Sequence, residues 1–178
     1  MSSELRQFKL ALASDKRYQR LKTAFTTLPI FMIDVEALMD EVMYLDTQRE
    51  IKTLTNATPD FVDRMIRAGL KDQGHRSRLA QIYAESIRSR KTVEASLDAF
   101  TSYALIHYKD MLSVYRTLSE KQSAVATILS VEHKYLQSIV TLQSMLTTIL
   151  EDIDKSYWAL KTIVEAVKLV YVPERNLN

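Results

Sequence analysis

The three histidines are the first residues to test for chemistry, because imidazole is a common metal ligand and carries protons near pH 7. They are His75, His107 and His133. The sequence contains no Glu-x-x-His pair of a di-iron bundle and no His-Glu-x-x-His run of a zinc protease. His107 lies next to Tyr108 and near Tyr103, which favours a packing role. The histidines therefore indicate no metal site.

The other residue types that carry catalysis also form no motif. The acidic cluster at Glu151, Asp152 and Asp154 lacks the glycine turn and spacing of a calcium loop, which favours a solvated helix face. Gly69 and Gly74 are not followed by the Lys-Ser/Thr of a phosphate-binding loop. With no cysteine, thiolate nucleophiles and zinc–sulfur sites are excluded. We therefore predict a non-enzymatic protein without cofactor, metal or small-molecule substrate.

Glycine and proline are scarce, and this scarcity determines the predicted fold class. The 178 residues include 2 glycines and 3 prolines, where average usage predicts about a dozen and about nine. Sheet proteins need many tight turns, whereas long helices need few. We predict an all-α fold, an elongated bundle of about five helices with coiled-coil-like packing. Two of the helices are predicted to be long, covering residues 75–118 and 119–171.

Apolar periodicity and breaker residues predict three shorter helices before the two long ones. They cover Ser3 to Thr26, Pro29 to Leu54 and Pro59 to Asp72. The pair Gly69 and Gly74 predicts a break between the third and fourth helices, with one continuous helix as the alternative.

The predicted helices imply a single helical domain. Within it, residues 1–56 form an N-terminal hairpin, residues 57–172 form a long arm and residues 173–178 form a tail. No glycine or proline separates the fourth predicted helix from the fifth. One helix running through both therefore remains an alternative to a hairpin.

The two long helices carry apolar residues in alternating steps of three and four for many turns, as in a coiled coil. Because the three shorter helices are too short to cover them completely, we predict that part of this stripe contacts a partner helix or a second copy. The predicted interface residues are Val93, Leu97, Phe100, Met111, Leu142, Met145 and Ile149.

Basic residues are concentrated around the two glycines and form a candidate anion-binding surface. These basic residues have two possible interpretations. They contact an anionic ligand, or they form a solvated face that pairs with the acidic face of the second helix. The second reading is favoured because helical spacing spreads the side chains around the helix and aromatics do not interleave with them. The candidate residues are Arg64, Arg67, Arg76, Arg78, Arg88 and Lys91.

These observations favour a helical scaffold or adaptor that works through self-association or partner-helix docking. The expected partner is a protein or a second copy, in a homo-oligomer or a larger assembly. The alternatives are a membrane-surface module, similar in architecture to BAR-type dimers and binding anionic lipid, and a nucleic-acid accessory factor using residues 64–91. Net charge is only +2, which favours neither. Charged residues near the N-terminus interrupt any signal-peptide run, so we expect a cytoplasmic protein.

Overall fold

The computed structural model of the chain describes residues 3–28, 33–51 and 60–171, and side chains as far as residue 166. Within these ranges the chain forms six α-helices and a 3-10 turn, and no strand. The all-α prediction is confirmed. The helices are α1 Ser3–Ala13, α2 Lys16–Thr27, α3 Val35–Thr47, α4 Phe61–His107, α5 Leu118–Ile128 and α6 Ser130–Tyr171, with the 3-10 turn at Met111–Val114.

The first predicted helix, Ser3 to Thr26, is wrong as a single element, because the chain turns between α1 and α2. Asp15 is the N-cap of α2, and its carboxylate accepts hydrogen bonds from the backbone N–H groups of Arg17 (2.6 Å) and Tyr18 (3.2 Å). A capping aspartate satisfies amides that a helix start leaves unpaired, so it ends one helix and begins another without glycine or proline.

The predicted break between Gly69 and Gly74 is also wrong, because α4 runs without interruption through both glycines. A Cβ atom at residue 69 would lie 2.8 Å from Cδ2 of Leu160, whereas at residue 74 it would meet open space. Gly69 therefore allows close approach of α6 rather than a turn. A helical glycine costs only about 1 kcal/mol relative to alanine, which tertiary packing readily offsets.

The two long predicted helices have different bounds in the structure. The fourth ends at His107 rather than residue 118, and the fifth is divided into α5 and α6 at Leu129. A capping box starts α5: Thr117 accepts from the N–H of Glu120 at 3.1 Å, and Glu120 accepts from the N–H of Thr117 at 3.1 Å. This box lies two residues before the predicted start at Ser119, and it also excludes one helix through residues 75–171.

The second predicted helix is shorter than expected, since α3 covers only Val35–Thr47. Its predicted ends at Pro29 and Leu54, the predicted start of the third helix at Pro59 and the predicted tail at 173–178 lie outside the described residues.

The chain divides into two compact units. Unit 1 consists of Met1–Val35 and Glu85–Thr141, and unit 2 consists of Glu36–Ala84 and Leu142–Asn178. Both α4 and α6 therefore contribute to each unit. This grouping differs from the predicted hairpin and arm, because α1 and α2 belong to unit 1 while α3 belongs to unit 2.

In unit 1, aromatic contacts connect α1 and α2 to the C-terminal end of α4. Phe8 meets the Tyr108 ring edge-on with centroids 5.6 Å apart, and Tyr18 packs on Phe100 at 5.5 Å. The buried apolar residues of this unit include Leu5, Phe8, Leu12, Val93, Leu97, Phe100, Ala104, Leu112, Val125, Leu129 and Ile139.

The carboxylate of Asp15 connects the α1–α2 turn to the end of α4. Its Oδ2 accepts hydrogen bonds from the hydroxyls of Tyr103 at 2.7 Å and Tyr108 at 2.6 Å, while Oδ1 caps α2. Burial acts to raise the pKa of Asp15, but these hydrogen bonds outweigh it and lower the pKa from 3.8 to about 2. The ionised form of Asp15 is therefore the form that the fold stabilises.

This lowered pKa predicts a pH-dependent contribution of Asp15 to stability. The contribution is complete above the unfolded-state pKa near 3.8 and disappears as the pH falls toward 2. Replacing Asp15 with asparagine keeps a capping side chain, so we expect a loss of at most about 2 kcal/mol at pH 7. Urea unfolding at pH 7 and pH 2.5 measures the effect. The difference in free energy of unfolding between wild type and Asp15→Asn should be smaller at pH 2.5 than at pH 7. An equal difference at both pH values would contradict the pH-dependent contribution of Asp15.

Candidate docking groove

Unit 2 brings the first turns of α4 alongside the last turns of α6. Gly69 faces Leu160, and further along α4 Arg76 contacts Asp154. These contacts run in opposite order along the two helices, so α4 and α6 are antiparallel here. The buried apolar residues belonging to this unit include Val42, Met65, Ala68, Leu79, Ile82, Leu142, Leu146 and Ile153.

A buried arginine links the segment after α3 to α4 and α6. The guanidinium of Arg49 donates to Asp152 (Nη1–Oδ2, 2.6 Å), to Asp46 (Nη1–Oδ1, 3.1 Å) and to Ser156 (Nη2–Oγ, 3.2 Å). Its Nε lies 3.8 Å from Oδ2 of Asp72, an ionic contact too long for a hydrogen bond. We call these five residues the Arg49 cluster.

The hydrogen bonds of the Arg49 cluster favour the charged form of its arginine. Burial acts against the charge of Arg49, but hydrogen bonds to Asp152 and Asp46 outweigh it and raise its pKa. Asp72 is itself buried, and its Oδ1 accepts from the backbone N–H of Glu50 at 3.1 Å. The cluster is thus a structural site that links the segment after α3 to α4 and α6.

Three of the six candidate anion-binding residues have carboxylate partners within the chain. Arg76 makes a two-bond contact with Asp154, and Arg78 makes one with Glu41 of α3, both at 2.6 and 2.9 Å. Arg64 lies 3.6 Å from Asp60. The hydrogen bonds from Arg76 and Arg78 lower the pKa values of Asp154 and Glu41. The Arg78 pair is the contact that the solvated-face reading expects.

The remaining three candidates have no such partner in the described part of the chain and are divided between the two units. Arg67, Arg88 and Lys91 are exposed, and none has an ion-pair partner among the described residues. Arg67 belongs to unit 2, whereas Arg88 and Lys91 belong to unit 1. Four of the six candidates therefore belong to unit 2 and two to unit 1.

The predicted interface residues are mostly buried by the chain itself. Val93, Leu97, Phe100 and Leu142 are core residues that a partner cannot reach in this conformation. Met145 and Ile149 are half-buried, and Met111 in the 3-10 turn is exposed. The reason is that the shorter elements cover more of the stripe than expected, as the contact of Tyr18 with Phe100 shows.

An apolar groove lies instead between the N-terminal part of α4 and the C-terminal part of α6. Its volume is about 410 Å³, and we call it the α4–α6 groove. Leu70 exposes 71% of its surface there, and Ile66 and Tyr157 expose 43% each. The lining residues are Ile66, Gly69, Leu70, Gln73, Tyr157, Leu160, Lys161, Val164 and Glu165.

The end of α6 beside the groove is apolar but uncovered. From Tyr157 to Ala166, seven of ten residues are apolar and none is buried. Trp158, the single tryptophan, is 63% exposed, and the Nζ atom of Lys161 lies 5.0 Å from the centre of its ring. The sequence analysis did not identify these residues as a surface. The available signal was the adjacent pair Tyr157 and Trp158 on a helix segment with apolar residues on every side.

The groove has the chemistry of a surface that binds apolar side chains. Its polar members are an amide, a phenol, one cation and one anion, with no histidine or cysteine among them. Across the described residues, no three histidine or acidic side chains converge to hold a metal ion. Nor does any helix in the described ranges have both the length and the apolarity needed to cross a bilayer.

Comparison with known proteins adds no further assignment. No protein-family model, curated protein or solved structure matches this chain. The function is therefore inferred from the geometry and chemistry of the groove.

Proposed function

We propose that the protein is a non-enzymatic helical interaction protein that docks a partner helix in the α4–α6 groove. The observation that carries the proposal is the groove itself, in which large apolar side chains on two adjacent helices remain exposed. Contiguous exposed apolar surface of this kind in a folded protein commonly marks a binding site. We place the protein in the cytoplasm, which the absence of cysteine supports.

The spacing of the lining residues suits a helical partner. Ile66, Leu70 and Gln73 recur at i, i+4 and i+7 along α4, so they form one wall of the groove. On α6, Tyr157, Leu160 and Val164 recur at i, i+3 and i+7 and form the other wall. Two such ridges leave a channel into which the apolar face of a third helix fits, the helix-in-groove mode of recognition.

The membrane and nucleic-acid alternatives gain no support from the basic residues. Arg76 and Arg78 already hold carboxylates in two-bond contacts, and an anionic ligand would have to displace them. The groove also carries both signs of charge, Lys161 and Glu165. An anionic surface would instead favour a rim of one sign.

A photo-crosslinking amino acid at position 70 tests the proposal in native cells. The matched control is position 64, an exposed arginine on the same helix that lies about 120° around the helix axis from Leu70 and outside the groove. We expect an adduct from position 70 only, with its partner identified from the crosslinked peptides. The purified partner should then bind the wild-type chain and bind the Leu70→Asp variant about thirtyfold more weakly, as for an interface hot spot.

The control position decides how the crosslinking result is interpreted. Equal adducts from positions 70 and 64, or none from either, would contradict docking in the groove. So would an identified partner whose affinity is unchanged by Leu70→Asp, provided circular dichroism shows that the variant keeps its helices.

A further inference from the structure

We propose that the helix that docks in the α4–α6 groove is α6 of a second copy, in a two-fold dimer that places Lys161 of each copy opposite Glu165 of the other. This inference rests on the proposed function and names its partner. It is carried by three features of the described residues: the open helix pair, the exposed area and the arrangement of charge.

The first feature is that the described part of the chain covers the helix pair on one side only. Gly69 and Leu160 bring α4 and α6 together, and Ile153 and Met65 are buried nearby. Leu70 in the groove remains largely exposed, and so does Trp158, whose ring contacts the groove residue Lys161. Two such pairs facing each other form a four-helix arrangement, in which each pair supplies the missing layer of the other. A two-fold axis closes it, since the same surface serves both copies.

The second feature is the size of the exposed apolar surface. For side chains of about 150–250 Å², the exposed fractions of Ile66, Leu70, Tyr157 and Trp158 amount to roughly 450 Å². A standard interface takes about 800 Å² from each partner, of which the centre is apolar and the rim polar. The patch is therefore large enough for the centre of a dimer interface. The polar groove residues Gln73, Lys161 and Glu165 can form its rim.

The third feature is that the charges are self-complementary. Lys161 and Glu165 both line the groove, four residues apart on α6. A two-fold axis midway between them makes α6 antiparallel to its copy, so each lysine meets a glutamate. Within one chain their Nζ–Oε1 distance is 4.0 Å and both side chains are more than half exposed, so this pair is weak. Both charges can therefore serve the interface.

Charge reversal with purified full-length protein tests the proposed register. We expect wild type to form dimers in sedimentation velocity and light scattering, with a blue shift of Trp158 emission as concentration rises. Lys161→Glu and Glu165→Lys should each weaken dimerisation about tenfold or more, because like charges then face each other. A 1:1 mixture of these two variants should restore pairing, since one groove is then acidic and the other basic.

A second ion pair on α6 supplies the matched control. Lys155 and Glu151 are also four residues apart, 3.9 Å from each other, and lie outside the groove. Lys155→Glu makes the same change within one helix, so it should leave dimerisation unchanged. This control separates charge repulsion across the interface from a loss of helix stability, because both reversals remove one intrahelical pair.

The possible results separate this inference from the proposed function. A wild-type chain that stays monomeric at millimolar concentration would overturn the dimer. If position 70 then crosslinks to a different, identified protein, the docking proposal stands and the second copy is excluded. If Leu70→Asp dissociates the dimer but neither charge reversal changes dimerisation, the proposed register of Lys161 against Glu165 is overturned.

Discussion

Replacing Arg49 with alanine is expected to lower the free energy of unfolding by about 3–5 kcal/mol, the cost of removing one partner from a buried ion pair. The loss has a definite location, because Asp72 is 1% exposed and would be left as a buried carboxylate without its cation. Asp152 is half exposed and can turn to water, so it contributes less. Urea unfolding followed by circular dichroism at pH 7 measures the change.

Two further variants test whether the buried charge is the cause. Arg49→Lys keeps the cation but cannot reach Asp152, Asp46 and Ser156 together, so an intermediate loss is expected. Adding Asp72→Asn to Arg49→Ala removes the unpaired carboxylate and should recover part of the stability. A double variant that is less stable than Arg49→Ala alone would locate the cost elsewhere in the Arg49 cluster.

The helical class could be predicted from the sequence because its signal is local. Leu142, Leu146 and Ile153 recur at helical spacing in a chain with few residues that turn or break a helix. Helix ends were harder to predict. Asp15 stops one helix and starts the next through its side chain, whereas Gly69, which resembles a break, serves close packing.

The candidate site could not be predicted, because it depends on contacts between residues far apart in the sequence. Arg76 and Asp154 are 78 positions apart, and Arg49 and Asp152 are 103 apart. Periodicity identifies an apolar stripe but does not show which part of it the same chain covers. Phe100 and Leu70 both lie on apolar stripes of α4, yet one is buried and the other is exposed.

Replacing Leu142 with alanine is expected to destabilise the chain by about 2–5 kcal/mol, the usual range for a fully buried leucine. Leu142 is 0% exposed, so its removal leaves a cavity that the packed helices fill only partly. The matched variant is Leu70→Ala, which deletes the same atoms from a side chain that is 71% exposed. It should cost less than about 1 kcal/mol, because most of the deleted surface already contacts water.

When dimerisation is measured instead of stability, the replacement of Leu70 should have the larger effect and that of Leu142 the smaller. Leu70→Ala should weaken dimerisation, whereas Leu142→Ala at a temperature where it stays folded should not. Unfolding is best followed at a concentration where the chain is monomeric, since association stabilises the folded state by mass action. If Leu142→Ala leaves stability unchanged but abolishes dimerisation, Leu142 belongs to the interface, as its place on the apolar stripe first indicated, and the α4–α6 groove is not the docking surface.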